Sequence, residues 1–255
     1  MIPVPEGRVP GSFSIAGELQ RMSDTFTIAY HFAFSETETK TVSVDLDKGS
    51  LDLIRRTPKP TATPSWTELS CNQCRNCSLT PATHPHCPIA LNLVDIVESF
   101  KDYFSYQDVD VTVTAEERAY FKSTSLQMGL SSLIGIIMVT SGCRPMERLK
   151  PMVRFHLPFA TLEETIFRTS SMHLVAQYLR QHHGKPADFS LTGLQTIYAD
   201  VATVNTCFAN RLRQAAKKDA NINALVNLHC FAEMVPINAD LMLADIESYF
   251  TALLD

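Results

Sequence analysis

Large apolar residues alternate with small or polar ones across one early segment. Phe26, Ile28, Tyr30, Phe32 and Phe34 share one face, while Thr27, Ala29, His31 and Ala33 share the other. A period of two predicts a strand with one buried face. Val42, Val44 and Leu46 resume that period after a polar run over 35–40, which suits a hairpin loop. Leu51 and Leu53 follow the Lys48-Gly49-Ser50 turn signal, and Phe13 with Ile15 predict one further strand nearer the start. An antiparallel β meander over residues 1–56 is the expectation.

The pattern then changes twice. Pro58, Pro60 and Pro64 fall close together, and each proline removes a backbone donor and biases the residue before it towards extended backbone. Residues 57–90 therefore read as a proline-rich strap followed by a cysteine-rich knuckle. From 91 to 255 the spacing is mainly helical, with one additional strand near 108–114 where Val109, Val111 and Val113 alternate. Pro88 suits the first position of a helix running from Ile89 towards Phe104. Thr114-Ala115-Glu116-Glu117 and Thr161-Leu162-Glu163-Glu164 both match the capping box, in which a hydroxyl and a carboxylate satisfy unpaired amides at a helix start. The first is expected to open a buried helix ending at Gly142, and the second a helix stopping near Gly184-Lys185-Pro186. Later helices are expected from Ser190, Asn221 and Asn238, the last two separated by Pro236. The fold class is thus α+β: an N-terminal antiparallel meander, a cysteine-rich metal knuckle and a C-terminal helical domain.

Composition narrows the class of function. With 45% hydrophobic and 19% charged residues over 255 positions, the chain can bury a core. A net charge of -5 argues against a binder of nucleic-acid backbone, which needs a basic excess. No secretory signal or bilayer-spanning run is visible, so a cytoplasmic protein without membrane contact is expected, with a protein partner or a homo-oligomer as its interaction.

Cysteines change the picture most. Of seven, Cys71, Cys74, Cys77 and Cys87 lie within seventeen residues. In a reducing compartment such clustering points to metal or redox chemistry rather than disulfides. One parse, Cys74, Cys77, His84 and Cys87, gives the close pairs that wrap a tetrahedral Zn²⁺ and leave no open position. The other, Cys71, Cys74, Cys77 and Cys87 followed by Pro88, resembles the ferredoxin-type ligand run for a 4Fe-4S cluster, with a longer last spacer. Cys87 precedes a helix start, where the unpaired amides favour a thiolate. Cys143 is a candidate to complete a site with Cys74, Cys77 and Cys87 from a distance, and His86 is an alternative to His84. Cys207 and Cys230 sit on apolar helical stretches and read as small hydrophobes.

Other constellations are weaker. Arg154 and His156 interrupt an apolar run, either facing a pocket or satisfied by backbone carbonyls, Glu163 or Glu164. Glu164 and Arg168 have ion-pair spacing on a helix, and Arg211, Arg213, Lys217 and Lys218 read as a solvated basic stripe. No zincin, nucleophile-elbow or Walker motif occurs. A zinc enzyme with an open position and His156 or Glu164 as proton carrier is a third reading.

Trp66, Thr67 and Leu69, the cluster ending Cys87-Pro88-Ile89-Ala90, Ser141-Gly142-Cys143, and the stretch Pro151-Met152 to Pro158 containing Arg154, Phe155, His156 and Leu157 together resemble a bacterial protein family of unknown function. The resemblance covers the middle half of the chain and implies no chemistry of its own. Function rests on the residues: a metal-binding interaction or regulatory protein with structural zinc, with an iron–sulfur electron-transfer protein as the alternative.

Overall fold

The computed structural model describes residues 24–55, 63–215 and 218–254. The strand expected at Phe13 and Ile15, most of the proline strap and Lys217 lie outside them. Strand β1 (Thr25–Ala33) pairs with β2 (Thr39–Asp47) through the expected hairpin, whose loop is closed by Ser35 Oγ accepting from the amides of Thr37 and Glu38. The predicted alternation holds: Phe26, Ile28, Tyr30 and Phe32 are buried. Leu53 forms only an isolated bridge to Leu46, so no third strand follows in that stretch.

The sheet is completed from later in the chain. After helix α1 (Pro88–Phe100), β3 (Asp108–Ala115) pairs with the free edge of β1, and β4 (Arg118–Ser125) pairs with β3, giving the antiparallel order β2-β1-β3-β4. Two hairpins therefore share one sheet, rather than a meander confined to the first 56 residues. Thr114 to Glu117 do not cap a helix. Ala115 pairs with Arg118 across a two-residue turn in which Glu116 takes a φ of 51°, and Thr114 stays in the ladder. Arg118, Ala119, Phe121, Lys122 and Ser123 are exposed, as a charged edge strand is.

Helix α2 (Leu126–Thr140) follows β4 directly and is buried over most of its circumference, as its near-uniform apolar sequence predicts. It approaches the sheet at Gly129, where an added Cβ would stand 2.9 Å from the Phe32 ring and 3.0 Å from Val111. Short helices α3 (Arg144–Glu147) and α4 (Pro151–Arg154) lead to α5 (Leu162–His182), α6 (Thr192–Leu212) and α7 (Ala220–Asp245). The Thr161 capping box is fully formed. Pro236 lies inside α7 instead of dividing it. Val235 and Ala239 on either side are buried, so packing outweighs the roughly 3 kcal/mol that an interior proline costs. Among the described residues no helix is long and apolar enough to cross a membrane.

Candidate metal centre

Three segments bring thiols to the wall of one cavity. Residues 65–87 form a loop held by its own backbone: Leu69 N–H donates to Pro85 O at 2.8 Å and Cys87 N–H to Thr67 O at 2.8 Å. Within it, the Cys77 amide donates to Cys74 O at 3.0 Å, closing a turn that carries both cysteines. Asn76 Nδ2 donates to the Asp200 carbonyl and carboxylate, each at 3.1 Å, and fixes the turn to α6. Cys87 is the N-cap of α1, with Pro88 at the first helical position as predicted. Cys143 arrives from the end of α2, where Gly142 takes a φ of 79° that few side chains tolerate, and becomes the N-cap of α3. Asn92 Nδ2 donates to Ser141 Oγ at 3.0 Å, binding α1 to that corner.

Cys74, Cys77, Cys87 and Cys143 line a common cavity of about 40 Å³, with Leu69, Ile89, Val204 and Phe208 supplying apolar wall. All four are partly buried and free of disulfides. Their electrostatics are mutual. Burial raises the Cys74 thiol, and Cys207, Cys87 and Cys143 push it further. Burial likewise raises Cys87, opposed by the amides of Ala90 and Ile89 and by the positive Arg211. Cys143 is pushed up to about 12, mainly by burial, with the Met146 amide opposing. Without a cation between them, Cys74, Cys87 and Cys143 are held as neutral thiols.

Arg211 closes the same cavity. Read from the sequence as part of a solvated stripe, it is 2% exposed, and it donates to the carbonyls of Trp66 at 2.7 Å, Leu69 at 3.3 Å and Glu68. Among the described residues it makes no ion pair. Nothing in its sequence context distinguishes it from neighbouring surface cations. Its seven-residue spacing from Val204, two turns along the buried face of α6, is the one available signal.

Neither sequence parse is assembled as written. His84 is exposed and contacts Thr83 Oγ1 at 3.0 Å. Both ring nitrogens of His86 are engaged, with Thr67 at 2.9 Å and Thr63 at 3.3 Å. Cys71 Sγ contacts Gln214 Oε1 at 3.2 Å and does not line the cavity. The set brought together is the long-range one, Cys74, Cys77, Cys87 and Cys143. Cys207, read as a simple core residue, stands against Cys74. As they stand, no three His, Cys, Asp or Glu side chains among the described residues form a group that could hold a metal ion, and the metal knuckle expected from the sequence is not shown.

His156 and Glu164 are not part of this cavity. Glu164 is occupied by the capping box, accepting from the Thr161 amide at 2.8 Å, and forms no ion pair with Arg168. His156 Nε2 is 2.7 Å from Tyr30 Oη and 3.4 Å from Ser132 Oγ, partners from the sheet and α2 rather than the carbonyls or glutamates expected.

The chain belongs to a family described as a domain of unknown function (DUF6901), whose model matches residues 28–251. The resemblance to an uncharacterised family is borne out, over more of the chain than the middle half. No curated protein and no solved structure matches it.

Proposed function

We propose that this is a metal-binding protein whose ligands are Cys74, Cys77, Cys87 and Cys143. A Zn²⁺ ion held by them ties the 65–87 loop to the corner where α1, α2 and α6 meet. The observation that carries this reading is a buried cation, Arg211, with no ion pair among the described residues, in the wall of a cavity lined by four thiols. Neutral thiols do little for a buried guanidinium. Four thiolates around one zinc ion carry a net double negative charge beside it, and the space of about 40 Å³ suits a single ion. Binding draws the sulfurs inward and releases protons, so part of the metal's binding energy is folding energy of the loop. The protein then acts as an interaction or regulatory component. Exposed apolar residues along α5 (Leu174, Val175, Tyr178) and late in α7 (Ile237, Leu241) support a protein partner or a second copy as its target.

One observation favours a second reading. The thiols do not converge on a single point as they stand, and a 4Fe-4S cluster bonds each cysteine to a different iron, which suits a wider set of sulfurs. That centre makes the protein an electron carrier. Elemental and acid-labile sulfide analysis of anaerobically purified protein separates the two: zinc without sulfide for the first, iron with sulfide and brown colour for the second. In either case Cys143→Ser removes the metal and Cys71→Ser or His84→Ala does not. Absence of stoichiometric metal, or dependence on Cys71 and His84 instead of Cys143, rejects the site.

A further inference from the structure

A second cavity, of about 200 Å³, lies between α2, the 146–160 segment and helices α5, α6 and α7. Its wall is mostly apolar, with Met128, Ile136, Val201 and Leu228 among the lining residues. Among the polar side chains that interrupt it are Arg168, Asn205 and His156. Arg168 donates from Nη2 to the carbonyls of Met152 at 3.1 Å and Phe155 at 2.9 Å, and among the described residues it makes no ion pair. Asn205 is 1% exposed, and its Oδ1 has no hydrogen-bond partner among the described residues. His156 reaches Tyr30 and Ser132 through Nε2 and is held neutral, its pKa pushed down to about 3 by burial and then by Arg168.

An unpaired buried acceptor carries a desolvation cost that folding alone does not recover, and a partly buried cation whose neighbouring carboxylate, Glu164, is committed to the Thr161 cap is incompletely compensated. Both are relieved by one molecule of matching chemistry. We infer that this cavity binds a small aryl carboxylic acid bearing a hydroxyl at the end remote from the carboxylate. Arg168 takes the carboxylate, the apolar wall takes the ring, and Asn205 Oδ1 accepts from the hydroxyl.

The spacing follows from α6. Tyr198 also lines the cavity and donates to Thr169 Oγ1 at 3.1 Å, beside Arg168 in the chain, which sets the cation near that turn of the helix. Asn205 lies seven residues further on, the same face two turns later, about 10 Å away along the axis. A ligand that satisfies both ends must therefore be elongated. The volume sits below the ~300–1,000 Å³ usual for drug-sized ligands, which limits the body to about one ring. His156, being neutral, leaves Arg168 as the cation of this wall and adds no competing charge.

Calorimetric titration of the full-length protein with para-hydroxyphenylacetate, phenylacetate and para-cresol tests the inference. The hydroxy acid is expected to bind tightest, with either single-group control roughly tenfold weaker. Asn205→Leu, which removes the orphan acceptor and should fold, brings the hydroxy acid down to the level of phenylacetate. Arg168→Gln weakens both acids alike and leaves para-cresol unchanged, with Arg168→Lys as the substitute if the Gln variant does not melt cooperatively. Failure of para-hydroxyphenylacetate to bind, binding no tighter than para-cresol, or unchanged binding by both variants overturns it. None of these readouts depends on metal at the cysteines.

Discussion

Two arginines, Arg211 and Arg168, invite comparison because each is a helix cation drawn into the molecule, tied to backbone carbonyls and lining a cavity without an ion pair among the described residues. They differ in what shares the wall. Arg211 stands beside four thiols, groups that become anions once a metal displaces their protons. Arg168 stands among apolar side chains, a neutral histidine and an amide, and the carboxylate it feels, Glu164, is exposed and held in the Thr161 cap outside the cavity. The wall of the cavity thus carries a latent counter-charge for the first cation and no carboxylate for the second. A buried charge is costly until compensated, which is the ground for proposing a metal at the first region and an anion from outside at the second.

The largest expected effect separates them by stability. Arg211→Met leaves three carbonyls of the 66–69 segment without donors and opens the floor of the cysteine cavity. A loss of about 3 kcal/mol is expected, seen in this size of chain as a melting temperature lower by about 6–12 °C. Metal retention should fall with it. Arg168→Met strips two carbonyls at a more open position and should cost about 1–2 kcal/mol. Equal losses at the two positions, measured by thermal melts of the same preparation, would break the contrast.

Acid and base should act on opposite regions. His156 has a folded pKa near 3 against roughly 6.5 unfolded, so the unfolded chain binds the extra proton first. Its contribution is complete above pH ~6.5 and is lost as pH falls towards about 3, on the order of a few kcal/mol in all. Replacing it with Gln, which retains a donor for Tyr30, should flatten that limb of a stability–pH curve. The cysteines respond the other way in metal-stripped protein. Burial raises the thiols of Cys74, Cys87 and Cys143, the last to about 12, so stability is complete below the ordinary thiol range and falls as pH rises through it. Metal-loaded protein, with the protons already gone, should lack this alkaline limb. An alkaline limb of equal size with and without metal would show that the cysteines hold none.

How much of this was legible beforehand depends on whether local chemistry decided it. The alternation from Phe26 to Phe32 and the capping box at Thr161 are local, and both stand in the structure. The same Thr-x-x-Glu pattern at Thr114 misled because a two-residue hairpin turn is built from the same residues, and the strand after it, Arg118 to Ser125, is an exposed edge with no apolar alternation to announce it. In the cavities, only Cys74, Cys77 and Cys87 are near neighbours in sequence. Cys143 is brought in by the Gly142 turn after a buried helix, and Arg211, Asn205 and Arg168 look like ordinary helical positions until packing fixes which face is inside. Spacing could propose His84 as a ligand. It could not show that the loop leaves it in solvent.

The smallest effect is the sharpest test of which sulfurs belong together. Among the described residues the Cys71 side chain meets Gln214 and Asn72 and the His84 ring meets Thr83, and neither residue lines the cavity beside Arg211. Cys71→Ser and His84→Ala should each change unfolding free energy by no more than about 0.5 kcal/mol, as surface substitutions do, and leave metal content untouched. Cys74→Ser, three residues from Cys71, should instead lose the metal and restore alkaline sensitivity of the remaining thiols. If Cys71→Ser proved as damaging as Cys74→Ser, the ligands would follow proximity in the chain rather than the cavity, and Arg211 would need another counter-charge.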